Sequence, residues 1–147
     1  MNEYDLSRYL DAQAKDYETA LKEIKEGYKK SHWMWFIFPQ IIGFVQSRTS
    51  ISQSIQNIEE AKAYMENEVL AAHMNEICEA LLELDTNDAN SIFGSPNDVK
   101  LQSSMTLFSK ACPENDIFVK VLNKFYDGEI DARTMELIGW KTYVDNK

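Results

Sequence analysis

The strongest constraint on the fold is a ten-residue aromatic run, residues 31–40, with the sequence Ser-His-Trp-Met-Trp-Phe-Ile-Phe-Pro-Gln. Seven of these residues are apolar or aromatic, and the run contains two of the chain's three Trp residues. So much aromatic surface must be buried or must line a pocket, because its exposure would favour association. Pro39 excludes a long helix and disfavours helical geometry at Phe38. We therefore expect a short helix or an irregular segment that crosses the core.

The rest of the chain shows the three- and four-residue spacing of apolar side chains that is typical of amphipathic helices. The first predicted helix runs from near Leu6 to Glu26, and Gly27 supplies its C-terminal stop. Later helices are separated by short polar connections, and no convincing pair of strands is present. Five Gly and three Pro are also few for an all-β domain. The sequence thus predicts one all-α domain over residues 1–147, a compact bundle of about six helices, several of them short.

Helix starts are predicted at residues whose side-chain oxygens can accept hydrogen bonds from a first helical turn. These predicted N-caps are Asp5, Asn57, Ser95 and Asp131. Glu60 follows Asn57 by three residues, which gives a capping box. Pro96 is expected at the first helical position after Ser95. Residues 47–54 are typical of a polar loop or one marginal helix, and a polar tail is expected after Gly139.

Composition excludes several classes of function. The net charge is −9, from 15 Lys and Arg against 24 Asp and Glu, so general binding to nucleic acid is not expected. The chain opens Met-Asn-Glu-Tyr-Asp without a basic, apolar signal region, and its longest apolar run is too short to span a bilayer. We therefore expect a cytoplasmic protein without membrane contact. The two Cys residues, Cys78 and Cys112, are expected to pack as small apolar side chains rather than to form a bridge.

Two groups of charged residues could each be a solvent-exposed helix face or part of a functional site. Four lysines close to the aromatic run could form a basic patch; they are Lys22, Lys25, Lys29 and Lys30. The helical spacing of Lys22, Lys25 and Lys29 favours a solvated face instead. Glu76, Glu79 and Glu83 likewise favour a solvated stripe over a metal or catalytic cluster. The spacing of the two His and two Cys residues fits no zinc signature, and no nucleophile elbow or phosphate-binding glycine loop is present. No cofactor or metal is therefore predicted.

The polar ends of the aromatic run are the first candidate site. Ser31 and His32 precede it and Gln40 closes it. His32 could be a core residue bonded to the backbone, or a group that titrates near neutral pH beside large aromatic faces. Trp33 and Trp35, two positions apart, could both pack in the core or form a stacking clamp.

The second candidate is the predicted helix that follows Gly94. Its N-terminus suits an anion, and Lys100 would add a positive charge, but Asp98 would occupy the same field. Three hydroxyl residues then lie inside the helix; they are Ser103, Ser104 and Thr106. Their hydroxyls could bond back to carbonyls where helices approach closely, or they could form the polar wall of a pocket.

At these two stretches the chain resembles the bacterial and fungal family described as domain of unknown function 1810, some members of which carry the label calpastatin. Residues 31–40 match its first hallmark, and residues 92–98 with 100–108 match its second. The resemblance implies a compact all-helical domain and carries over no catalytic residue. The chain departs from the family pattern at Gln53, at Asn67 and Glu68, and at His73, and these changes would alter ligand preference if those positions line a site.

The leading hypothesis is a pocket between residues 31–40 and the helix of residues 100–108. It would bind a small polar or anionic, nucleotide-like molecule, with hydrolysis as an extension in which His32 is the acid or base. Lys100 would be the anion partner, and the Trp rings would provide a stacking surface. The alternative is a non-catalytic protein-interaction module that uses an aromatic patch, which would require exposed tryptophans. A third interpretation is that both stretches only stabilise the core.

Overall fold

The computed structural model of the chain describes residues 5–43 and 54–139, and all structural statements below concern these residues. They form eight helices and no strand beyond a single parallel bridge between Ile41 and Ile55. The helices are α1 (Ser7–Glu26), α2 (Met34–Ile37), α3 (Ile58–Glu66), α4 (Glu68–Glu83), α5 (Ala89–Phe93), α6 (Asn97–Ala111), α7 (Ile117–Tyr126) and α8 (Ala132–Leu137). The all-α prediction is confirmed. Five of the eight helices have seven residues or more and the other three are short. One of the short helices, α5, was predicted as a turn.

Helix α1 has nearly the predicted bounds. The Asp5 carboxylate accepts hydrogen bonds from the backbone N–H of Ser7 at 2.9 Å and from its hydroxyl at 2.6 Å, which satisfies one free amide of the first turn. Gly27 ends the helix with φ +81°, a left-handed conformation that favours glycine. The short helix expected inside residues 31–40 is α2.

The middle helices begin at side-chain caps. The Asn57 side chain accepts from the N–H of Glu60 at 2.9 Å, as the capping box predicts. The Glu60 carboxylate reaches back to the N–H of Gln56 at 2.7 Å, one residue earlier than expected. Asn67 separates α3 from α4 and caps α4 by accepting from the N–H groups of Val69 and Leu70. Asp131 caps α8 through the N–H of Thr134 at 2.8 Å.

The predicted start of α6, with Ser95 as the N-cap and Pro96 as the first helical residue, is wrong by one position. The helix begins at Asn97, and Pro96 is the flanking residue rather than the first helical one. The Ser95 hydroxyl does not cap the helix, because it pairs with the Asp98 carboxylate and the Asn90 side chain instead.

A single hydrophobic core unites these elements. Helix α1 packs on α2 and α4, whereas α6 packs on α3, α7 and α8. The aromatic run contributes Trp33 and Phe38, whose rings contact each other and Phe93 of α5 with centroids 6.1–6.4 Å apart. Cys78 and Cys112 are both buried free thiols, as predicted. The core therefore fixes the aromatic run against the segment that leads into α6.

Among the described residues, no helix combines the length and the apolarity that crossing a bilayer requires. The loop or marginal helix expected at residues 47–54 lies outside the described residues except for Ser54, as do Gln53 and the polar tail after Gly139.

Candidate functional site

The two candidate stretches meet at a cavity of about 190 Å³, which we call the lysine–indole cavity. The loop after α1, helix α2 and the first turn of α6 form its walls. Its lining residues are Lys29, His32, Trp33, Met34, Trp35, Phe36, Asn97 and Lys100. The loop is tied to α5 by a backbone hydrogen bond from the N–H of Lys29 to the carbonyl of Ile92, at 2.8 Å.

Each of the two tryptophans in the cavity carries a lysine ammonium group on its ring face. Lys29 Nζ lies 5.0 Å from the ring centroid of Trp33, and Lys100 Nζ lies 5.2 Å from that of Trp35. Both distances fall within the range of cation–π attraction. Lys29 also donates a short hydrogen bond to the carbonyl of Ser31. The cavity thus combines two positive charges with two large aromatic surfaces.

Both ammonium groups are partly removed from water. Burial lowers the pKa of Lys100. Burial also lowers the pKa of Lys29; Glu23 opposes this shift, and the positive charge of Lys100 adds to it. Within the described ranges, neither ammonium forms an ion pair with a carboxylate.

A buried carboxylate beneath the cavity holds its floor in place. Glu23 of α1 accepts four hydrogen bonds, from Lys30 N–H at 2.8 Å, Ser31 N–H at 3.0 Å, Ser31 Oγ at 2.6 Å and Trp33 Nε1 at 2.9 Å. Burial alone would raise the pKa of this carboxyl, but the hydrogen bonds outweigh it and lower the pKa to about 2. We call these four residues the Glu23 cluster.

Trp33 and Trp35 have different environments. Trp33 is 1% exposed and is anchored by Glu23. Trp35 is half-buried, and its Nε1–H is shielded from solvent with no acceptor among the described residues. The Trp35 ring face, rather than its N–H, is therefore what this residue offers to the cavity. His32 is exposed at the rim.

Other predicted site residues at the aromatic run have structural partners instead. The Ser31 hydroxyl is bonded to Glu23. Gln40 is 4% exposed and donates to the carbonyl of Phe38, which places it in the core next to Pro39 rather than in the cavity. Ser31 and Gln40 are therefore not part of the proposed site.

The polar residues of helix α6 have two kinds of surroundings. Asn97 and Lys100 line the cavity. Ser103, one turn after Lys100, is fully buried, and its hydroxyl pairs with that of Thr134 at 2.6 Å. Thr106 donates to the carbonyl of Gln102 and accepts from the backbone N–H of Asp131. Ser103 and Thr106 therefore attach α8 to α6.

Two more predicted residues lie near the cavity without lining it. Ser104 follows Lys100 by one turn and is fully buried, and its hydroxyl has no partner within the described residues. The Asp98 carboxylate accepts from its neighbour's N–H, that of Val99, at 2.9 Å and from Asn90 Nδ2 at 3.2 Å. The start of α6 therefore already has an anionic group of its own, as the sequence suggested.

Sequence reasoning missed Glu23 and Lys29. Glu23 lies three residues after buried Ala20 and directly before buried Ile24, so a carboxylate on the apolar stripe of α1 was the available signal. Lys29 was grouped with a solvated basic face, which holds for the exposed Lys22, Lys25 and Lys30. It fails for Lys29 because Gly27 ends the helix before it.

The departures from the family pattern that lie within the described residues do not line this cavity. Asn67 is the cap of α4, and Glu68 begins that helix. His73 stacks on Tyr17 with ring centroids 3.7 Å apart, and its Nδ1 pairs with the Gln13 side chain at 2.8 Å. Gln53 lies outside the described residues.

The acidic stripe of α4 is solvent-exposed, as predicted. Glu76, Glu79 and Glu83 border a separate surface groove with Lys25. In the part of the chain that the structure describes, no group of three or more His, Cys, Asp or Glu side chains is placed to hold a metal ion.

Comparison with known proteins agrees with the fold. A crystal structure described as the conserved hypothetical protein Rv1873 from Mycobacterium tuberculosis matches with a TM-score of 0.90 and 38% sequence identity, over 94% of this chain and 99% of that chain. No curated protein matches the chain. The family model described as "Protein of unknown function (DUF1810)" matches residues 3–138. The chain therefore belongs to this family.

Proposed function

We propose that the lysine–indole cavity binds a small anionic molecule that carries a planar ring. The observation that carries the proposal is the pair of ammonium groups, each placed on a different indole of the same small cavity. A structural role does not require this arrangement, because a half-buried lysine is stabilised better by a carboxylate partner than by a second lysine nearby.

The cavity has the features of a ligand site rather than of a packing defect. Its lining is mainly apolar and aromatic, with a few polar groups that converge on it, which is the usual composition of small-molecule sites. The lysines attract an anion, and Asn97 adds an amide that can donate or accept. The indole faces provide a surface on which a planar ring can stack.

The competing proposal, a protein-interaction module, is less well supported. It requires an exposed aromatic patch, but Trp33 is 1% exposed and Trp35 is half-buried. The large exposed apolar residues among those described lie at other positions; they are Tyr28, Val69, Val99, Val119, Ile130 and Leu137. Shielded indoles that line a cavity favour a small ligand.

The first experiment is isothermal titration of the protein with phenyl phosphate, a small aromatic anion. We expect binding to the wild-type chain and at least a tenfold loss in Lys100→Met, because methionine keeps the apolar stem but removes the charge. Lys30→Met is the matched control, since Lys30 is exposed and contacts only Glu26 through its ammonium group, at 3.8 Å. A melting temperature close to that of the wild type would show that Lys100→Met is folded.

The proposal fails if the wild-type protein binds no aromatic anion, or if Lys100→Met binds as tightly as Lys30→Met. Hydrolysis would depend on His32, the imidazole at the rim, as general acid or base. Release of phenol from phenyl phosphate by the wild type, lost in His32→Gln with binding retained, would extend the proposal from binding to catalysis.

A further inference from the structure

The charge balance of the lysine–indole cavity narrows the class of ligand. The lining residues include two lysines and no Asp or Glu, so the walls carry two formal positive charges and no negative one. The nearby carboxylate, Glu23, already accepts four hydrogen bonds from the chain itself. Its oxygens are therefore engaged within the Glu23 cluster and form no ion pair with either ammonium, although its charge raises the pKa of Lys29.

Both ammonium groups border the same small cavity, and the charge of Lys100 acts on Lys29. Burial lowers the pKa of Lys29, and the positive charge of Lys100 lowers it further. A ligand with one negative charge would compensate only one of them. A ligand that carries two charges on one compact group would compensate both at once.

The volume of the cavity limits the size of the bound group. At about 190 Å³ it lies below the range of roughly 300–1,000 Å³ that is usual for sites enclosing drug-sized ligands. The cavity therefore suits a ligand whose buried part is one phosphoryl group and one small ring.

We propose, on the basis of the function proposed above, that the ligand is a phosphate monoester whose dianionic phosphoryl group lies between Lys29 and Lys100. Lysine is a suitable partner because its ammonium acts as a compact point charge with three donors. A phosphoryl group presents three terminal oxygens on one tetrahedral atom, so two ammonium groups can contact it together. The organic part of the ester contacts the indole rings of Trp33 and Trp35.

The test compares two esters of equal shape and different charge. At pH 8, phenyl phosphate is a dianion because its second pKa is near 6, whereas phenyl sulfate is a monoanion. Titration of the wild-type protein with each ester should show phosphate binding roughly tenfold tighter or more. Inorganic phosphate, which lacks the ring, should bind more weakly than phenyl phosphate.

Lysine variants test which residues cause the preference for the phosphate ester over the sulfate ester. In Lys29→Met and in Lys100→Met, the phosphate ester should lose at least tenfold in affinity and the two esters should bind about equally, because one positive charge remains. Lys30→Met should keep the wild-type preference. Isophthalate, a planar dianion with two separate carboxylates, tests whether the two charges must lie on one group.

Each contrary result has a distinct meaning. Equal binding of the two esters by the wild type would overturn the dianion inference and leave aromatic-anion binding intact. Tighter binding of isophthalate than of phenyl phosphate would overturn the phosphoryl assignment. If neither ester binds to the wild-type protein, this inference and the proposed function are both overturned.

Discussion

The Glu23 cluster and the lysine–indole cavity share Trp33, but they differ in how their charged groups are paired. The Glu23 carboxylate is buried and fully supplied with donors from the chain. The ammonium groups of Lys29 and Lys100 are half-buried, and each faces an indole rather than a carboxylate. A charge whose partners are all internal stabilises the fold, whereas ammonium groups without a carboxylate partner are available to an anion. Within one short segment, the charged group of the Glu23 cluster stabilises the fold, whereas the ammonium groups of the cavity are the ones that we propose to bind a ligand.

The largest expected effect is on the stability of the Glu23 cluster. Glu23→Gln should lower the free energy of unfolding by roughly 3–4 kcal/mol, because the three N–H groups that donate to Oε1 would then bond a neutral amide oxygen instead of a charged carboxylate. Urea unfolding, followed by circular dichroism, measures the change.

Glu26→Gln is the matched control for this variant. Glu26 is exposed on the same helix and pairs only loosely with Lys30, so its loss should change stability by less than ~0.5 kcal/mol. Equal stability of the two variants would contradict the structural role of Glu23 and remove the contrast between the two regions.

The next effect is an acid dependence that belongs to the Glu23 cluster alone. The pKa of Glu23 is about 2 in the folded protein, below its ordinary value of 4.5. The carboxylate therefore contributes stability above pH 4.5, and this contribution disappears as the pH falls from about 4.5 to 2. The wild type should lose up to ~3 kcal/mol across this window relative to Glu23→Gln. Parallel stability–pH curves for the two proteins would show that the Glu23 charge is not responsible.

The smallest effect distinguishes the two tryptophans. Trp33→Phe should destabilise the protein by roughly 1–3 kcal/mol, since it removes a donor to Glu23 and opens space in the core. Trp35→Phe should cost less than ~1 kcal/mol, because its N–H has no acceptor among the described residues and its ring is half-buried. Thermal unfolding of both variants gives the order. A larger loss at Trp35 would place it in the structural region rather than at the site.

Local features of the fold were predictable from the sequence because they depend on neighbouring residues. The bounds of α1 follow from its apolar spacing and Gly27, and the caps at Asn57 and Asp131 follow from residue type. The start of α6 was misplaced because Ser95 bonds to Asp98 and Asn90, an arrangement that the cap pattern alone does not specify.

The candidate site was predictable only in part, because several of its residues acquire their partners only in the tertiary structure. The sequence predicted a pocket between residues 31–40 and the helix of Lys100, and residues of both stretches line the cavity. It did not predict that the Lys100 ammonium lies on the Trp35 ring. It could not assign the α6 hydroxyls, since Ser103 and Thr106 acquire their role from α8. It also missed Lys29, whose proximity to Lys100 depends on how the loop after α1 folds back.

The backbone hydrogen bond from Lys29 to Ile92 has a consequence for how such a site can evolve. This main-chain bond adds to the ring contacts of Trp33 and Phe38 with Phe93 in joining the loop after α1 and the aromatic run to α5. Exchanging the polar side chains that line the cavity leaves the main-chain bond unaffected. The lining of the cavity can therefore diversify by point substitution at the rim while the spacing between its walls is inherited unchanged.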